Sequence, residues 1–361
     1  MKKMYFLEWT KRILVFTFLC TQSNTYSQKI ATKVDSLLNE KYSNTAPGAV
    51  YLIAKGEQQL FKKAYGLSNL ELESPMVIDN VFEIGSLTKQ FTAISILILV
   101  EQGKLKLDDT VSTHIPNYPN GNFITIHHLL THTSGIKDFT RLKGLNKIAK
   151  ADLTAKELVD FFKKEPLDFM PGEKFEYCNS GYILLGYIIE LVTKKSYGEF
   201  VAETIFKTLN MTNSYYGNHR KVVPNRASGY GKKDNRYINS PYISFSIPFS
   251  SGALMSTVED MFKWQKGVKN HILINEESTK KVFTNYRLNN GENIDYGYGW
   301  HIKTRNGIQI YEHGGSIFGF KSMGVYIPEE DIYVLSLTNC GCNSPTKITQ
   351  EIASMFTDHL Q

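Results

Sequence analysis

The chain has 361 residues, 42% of them hydrophobic, with four cysteines and a formal charge of +6. That length and apolar content build a large core with room for two lobes. The charge is modest and concentrated at the start. Lys2, Lys3, Lys11 and Arg12 against Glu8 lie in residues 1–27, leaving about +3 spread over the rest, which argues against a nucleic-acid partner.

In chain order, Lys11-Arg12 precede the short apolar run Ile13–Cys20. It is too short to span a bilayer and has the shape of an export signal. Thr25-Tyr26-Ser27 offers small residues at −3 and −1, so residues 1–27 are expected to be a signal peptide, with 28–361 as the one folded domain. The protein is then exported, periplasmic or secreted. Lipidation at Cys20 is disfavoured by the bulky Leu19 before it. Residues 29–42 place Ile30, Val34, Leu37 and Leu38 on one helical face, and 48–54 with 58–65 form a hairpin around Gly56. Val81–Gly85 leads as a strand into an apolar helix over Phe91–Val100, too short for a membrane span and suited to burial.

Residues of roughly 106–240 are helix-rich, and Thr154-x-x-Glu157 has the form of a capping box. Towards the C-terminus the pattern predicts strands near 309–312, 318–327 and 331–338, then a helix over Pro345–His359. The fold class is therefore α+β: an antiparallel sheet flanked by the N- and C-terminal helices, with an inserted helix-rich lobe. Beyond residue 27 only Cys178, Cys340 and Cys342 remain. Cys340 and Cys342 are too close in sequence for an easy mutual bridge, so disulfides are no framework. His127, His128 and His132 cluster without a carboxylate or cysteine at ligand spacing, and are taken as hydrogen-bonding residues of a helix and turn. No metal or other cofactor is expected.

The chemistry centres on Ser86-Leu-Thr-Lys89 at the strand-to-helix corner. Residues three apart share a helical face, so the Lys89 amine can reach the Ser86 hydroxyl and accept its proton. Ser-x-x-Lys also occurs at Ser134, Ser278 and Ser344. These have plain readings: a turn at Ser134-Gly135, a solvated helical serine at 278, and a helix start at Ser344-Pro345. Two later motifs distinguish Ser86. Tyr177-Cys178-Asn179 comes 91 residues after it at a loop–helix junction, and His313-Gly314-Gly315 comes 136 after that.

In that order, Ser86-x-x-Lys89, Tyr177-x-Asn179 and His313-x-Gly315 resemble the three motifs of serine β-lactamase-like and penicillin-binding enzymes. The resemblance is to the class C-like branch with its D,D-peptidases, D-aminopeptidases and esterases. The flanking segments Phe123–Gly135, Pro171-Gly-Glu173, Ser251–Asp260 and Tyr296–Trp300 resemble the family as well. The resemblance implies Ser86 as nucleophile, Lys89 or Tyr177 as base, Asn179 as orienting residue, and the Ser86 and Ser316 amides, beside Gly315, as oxyanion donors. A β-lactamase often has lysine and threonine where this chain has His313 and Gly314. That departure tilts the expectation to D-amino-acid peptides, D,D-peptidase-like, or small esters. A β-lactamase, or an idle relative binding cell-wall peptides or a partner, is the alternative. The expected ligand is a small molecule or peptide, peptidoglycan-derived substrates included. Cys178 is expected to point away from the cleft and pack as a small hydrophobe.

Overall fold

A computed structural model describes residues 28–357. The proposed signal peptide lies outside the described residues. Helix α1 (28–41) leads to strands β1 (Ala49–Lys55) and β2 (Gln58–Tyr65), joined at Gly56, whose φ is +57°. Helix α2 (Thr88–Glu101) comes next. Helix α3 (Asn179–Thr193) belongs to the central, helical part of the chain. The chain closes with β3 (His301–Arg305), β4 (Ile308–Ile317), β5 (Phe320–Ile327), β6 (Ile332–Thr338) and helix α4 (Pro345–Ser354).

The six strands form one antiparallel sheet in the order β3-β4-β5-β6-β1-β2. The join between chain ends is β1 against β6, with Ala49 opposite Thr338 and Lys55 opposite Ile332. Side chains alternate across a strand, so β1 sends Tyr51 and Ile53 to one face and Val50, Leu52 and Ala54 to the other. The first face packs with Val34 and Leu38 of α1 and Ile348 and Ile352 of α4. The second joins the main core with α2 and α3. Helix α2 is buried from Thr88 to Leu99 on all sides, as befits a central helix. Phe91 stacks on Trp264 at 3.9 Å between centroids and anchors it.

Four local expectations need correction or refinement. Strand β4 runs without a break through His313-Gly314-Gly315 to Ile317. Helix α4 ends at Ser354, five residues short of the expected end, and the Ser344 side chain makes no capping bond. Ser278 is buried, not solvated: Asn275 caps its helix by accepting the Ser278 N–H at 2.9 Å. Cys340 and Cys342 are bridged, because the turn between them brings their Cα atoms to 5.0 Å, inside the range a disulfide accepts. The capping box at Thr154 and Glu157 is present as expected.

Candidate active site

Ser86 sits in a single 3-10 turn, Gly85–Leu87, between the short strand Phe82–Glu83 and α2. The turn is held from below: Ile84 N–H donates to Leu254 O at 3.0 Å, and Leu254 N–H donates to Thr88 Oγ1 at 3.1 Å. Gly85 has φ +54°, and a Cβ there would lie 2.9 Å from Ser316 N. A Cβ on Gly315 would stand 2.1 Å from Ile84 O. Two glycines thus let the Ser86 turn and β4 touch backbone to backbone.

The edge of β4 explains what that contact exposes. Strand β3 pairs only with Ile308–Glu312, so the stretch from His313 to Ile317 has a partner on one side alone. In antiparallel pairing, successive residues turn their N–H and C=O to opposite neighbours. With Ile308 opposite Arg305 across one tight turn and Ile317 opposite Phe320 across another, even-numbered residues face β3. Beyond its end, Gly314 and Ser316 therefore present their backbone groups at the open edge beside Ser86.

Lys89 is buried, and its Nζ lies 3.2 Å from Ser86 Oγ while donating to Asn179 Oδ1 at 2.8 Å and Ser251 O at 2.9 Å. It also lies 4.8 Å from the Tyr177 ring centroid. Burial disfavours its charged form and pulls its pKa down to about 7, against the opposing pull of Asp138. Tyr177 is affected in the other direction: burial raises its pKa, while the nearby Ser86 hydroxyl works to lower it. Its hydroxyl is buried without a hydrogen-bond partner among the described residues.

His313 is buried, and burial depresses its pKa well below the usual value. A carbonyl only accepts, so Nδ1–H must donate to Gly314 O at 2.6 Å. That leaves Nε2 to accept the Tyr296 hydroxyl at 3.1 Å. The residue is a neutral imidazole on the cleft wall. Cys178 turns away from the cleft, with Sγ donating to Ile136 O at 3.1 Å and its pKa pushed up to about 12 by burial.

Ser86, Lys89, Tyr177, Asn179, His313, Gly315 and Ser316 are thus brought together. Two further residues support them. Asp138 Oδ2 accepts both the Asn179 N–H at 3.0 Å and Asn179 Nδ2 at 2.9 Å, which turns Asn179 Oδ1 toward Lys89. Its signal in the sequence was only that of a turn residue, and it does cap the Thr140 N–H. His132 holds both backbone neighbours of Tyr177. Its carbonyl accepts the Glu176 N–H at 3.0 Å and its Nδ1 accepts the Cys178 N–H at 3.0 Å. Its ring lies 4.3 Å from that of Tyr177. His127 and His128 play the plain part expected: His127 pairs with the Tyr298 hydroxyl at 2.8 Å, and His128 completes a capping box with Thr125. Among the described residues no cluster of His, Cys, Asp and Glu could hold a metal.

Comparison with known proteins agrees with this geometry. The beta-lactamase family model matches residues 28–350. Penicillin-binding protein 4* of Bacillus subtilis is 30% identical over 305 residues, covering 80% of this chain and 67% of that protein. The penicillin-binding protein of Bacillus halodurans superposes with a TM-score of 0.77 at 30% identity, over 89% of this chain and 98% of that one. D-amino acid amidase from Ochrobactrum anthropi shares the fold at a TM-score of 0.78 and 22% identity, over 92% and 98–99% of the two chains. With its serine and lysine in contact at the head of a buried helix and its open strand edge alongside, the chain belongs to the beta-lactamase family and is a serine hydrolase.

Proposed function

We propose that the protein cleaves amide or ester bonds through an acyl-enzyme on Ser86, with D-amino-acid peptides or small esters as its substrates. The single observation that carries this reading is the arrangement at Lys89 Nζ. As a neutral amine it has two N–H donors and one lone pair. Asn179 Oδ1 and Ser251 O take the donors, which directs the lone pair at the Ser86 hydroxyl 3.2 Å away. A pKa of about 7 makes that neutral form available near neutrality. Lys89 is therefore the base for acylation, while Tyr177, protonated because burial raises its pKa, hands a proton to the leaving group and is restored by the proton that Lys89 took from Ser86.

The carbonyl oxygen, as it becomes negative, is received by the amides of Ser86 and Ser316. A single donor of this kind contributes about 2.7–4 kcal/mol to transition-state stabilisation. The penicillin-binding and D-amino acid amidase likenesses support a D-configured acyl unit. The neutral His313, in place of a cation, argues against a dedicated β-lactamase. The test is hydrolysis of p-nitrophenyl acetate by the wild-type protein and by Ser86→Ala. Release of nitrophenolate should vanish in the variant, whose circular dichroism should be unchanged. Equal release by both proteins would remove Ser86 as nucleophile. Export to the periplasm or medium is part of the proposal and rests on residues 1–27.

A further inference from the structure

Positive charge is concentrated in residues 218–243. Arg220, Lys221, Arg226, Lys232, Lys233 and Arg236 stand there against Asp234 alone, whereas residues 28–361 as a whole carry only about +3. Arg226 pairs with Glu83 at 3.1 Å. Among the described residues the other five cations enter no ion pair, in a chain where many surface lysines do, Lys62 with Glu259 among them.

Three of the five stand on a projecting hairpin. Its strands, Tyr230–Lys233 and Arg236–Asn239, pair with Lys232 opposite Tyr237 and Lys233 opposite Arg236. Asp234 and Asn235 make the turn at φ +48° and +63°, the left-handed conformation that a two-residue hairpin loop requires. The hairpin is held at its base. Tyr230 N–H donates to Asn339 O at 3.0 Å, and Tyr230 O accepts the Gly341 N–H at 2.8 Å. Beyond that base every residue from Lys232 to Asn239 is exposed.

The exposed part mixes charge with large apolar side chains. Alternation puts Lys232 and Tyr237 on one face of the ribbon, and Lys233, Arg236 and Ile238 on the other. Tyr237 is 41% exposed and Ile238 45%. A second cationic segment adjoins them. His219 stacks on Tyr242 at 4.5 Å between centroids, and its Nε2–H donates to Ile243 O at 2.9 Å. That contact sets Arg220, Lys221 and Val222, all exposed, beside the chain leaving the hairpin.

We propose that this surface docks the protein peripherally on an anionic lipid bilayer. The five unpaired cations meet the headgroup phosphates, and Tyr237, Ile238 and Val222 enter the boundary between headgroups and acyl chains. A soluble polyanion would answer the charges but give Ile238 and Val222 nothing to bury against, whereas a bilayer takes both, with tyrosine at its interface. Docking also brings the cleft to the membrane. A Cβ on Gly319 would lie 2.8 Å from Gly229 Cα and from Ser240 Cβ at the hairpin's base, and the adjoining Ile317 and Phe318 line the cleft beside Ser86.

The test is cosedimentation with vesicles of phosphatidylcholine alone and of equimolar phosphatidylcholine and phosphatidylglycerol. The full chain is used, and residues 1–27 are the same in every variant, so the comparison isolates the hairpin. The wild-type protein should bind the anionic vesicles and not the neutral ones, and added salt should weaken binding. Neutralising the hairpin with Lys232→Gln, Lys233→Gln and Arg236→Gln together should weaken it about hundredfold, roughly fivefold per charge. Tyr237→Ser with Ile238→Ser should weaken it about tenfold. Both variants should keep the wild-type circular dichroism and melting midpoint. Failure to bind anionic vesicles, equal binding to the two kinds, or unchanged binding by the charge variant would overturn the proposal. So would full binding by the Tyr237 and Ile238 variant, or capture by soluble polyphosphate of a protein that stays off anionic vesicles.

Discussion

At the scale of single residues, the proposed catalysis turns on one amine kept out of water. Lysine's ordinary pKa of about 10.4 would leave it charged and useless as a base. Burial lowers that of Lys89 to about 7, and deprotonation rises as pH increases through that value. Acylation should therefore climb with pH to a plateau, with an apparent pKa near 7 in kcat/KM. Lys89→Ala should lower the plateau by roughly 10²–10⁴-fold; a flat profile in the wild type would contradict the assignment. His132 gives a second prediction. It sits in the left-handed region, φ +58°, where asparagine is tolerated and its Oδ1 can replace Nδ1 as acceptor. His132→Asn should keep most of kcat, whereas His132→Ala should lose kcat more than it raises KM, because it frees the Tyr177 backbone. The Ser86–Lys89 pair was legible because its contact is made within one helical turn. The parts played by Asp138 and His132 were not, since each reaches Tyr177-Cys178-Asn179 across more than 40 residues of chain, and neither residue type announces such a contact.

At the scale of elements, the site depends on a strand that sequence reasoning broke too early. His313-Gly314-Gly315 carries two glycines, which weaken a strand on propensity alone. Pairing to β5 at every residue from Tyr311 to Ile317 holds it extended regardless. Gly315 is needed because the Ser86 turn presses on the strand there. In Gly315→Ala the new Cβ would meet Ile84 O at 2.1 Å and Ser322 Oγ at 2.2 Å, and backbone must move. Overpacking of this kind costs about 1–3 kcal/mol, and it would displace the Ser316 amide. The expected result is a lower denaturation midpoint together with a fall in kcat of at least tenfold. Gly314→Ala, whose Cβ would find only Met323 Sδ at 3.5 Å and Ser322 O at 3.6 Å, should be much milder. Similar losses in the two variants would contradict the close approach. The Cys340–Cys342 bridge was misjudged for a related reason: sequence separation was used where the turn geometry decides.

At the scale of the whole molecule, the sheet is closed by the two chain ends, with Ala49–Lys55 paired to Ile332–Thr338. That much was legible, because helix, hairpin, strands and helix at the ends leave two apolar faces of one sheet to be covered. The order of strands was not, because register between segments nearly 300 residues apart is fixed by packing on both faces. Stability of the whole fold is tied to the site through Lys89. Between about 7, its folded value, and about 10.4, the unfolded one, the unfolded chain binds a proton that the folded protein has released. The free energy of unfolding therefore rises with pH across that window. Denaturant titrations of the wild type and Lys89→Met at pH 6, 8 and 9.5 should show the balance moving toward the wild type as pH rises; a constant difference would contradict a buried neutral amine. The acyl-enzyme itself is best sought by mass spectrometry of the protein quenched during turnover of p-nitrophenyl acetate. One added acetyl group is expected, mapped to the peptide holding Ser86 and absent in Ser86→Ala. Turnover that proceeds with no adduct on that peptide, or with the acetyl group on another residue, would contradict a covalent role for Ser86.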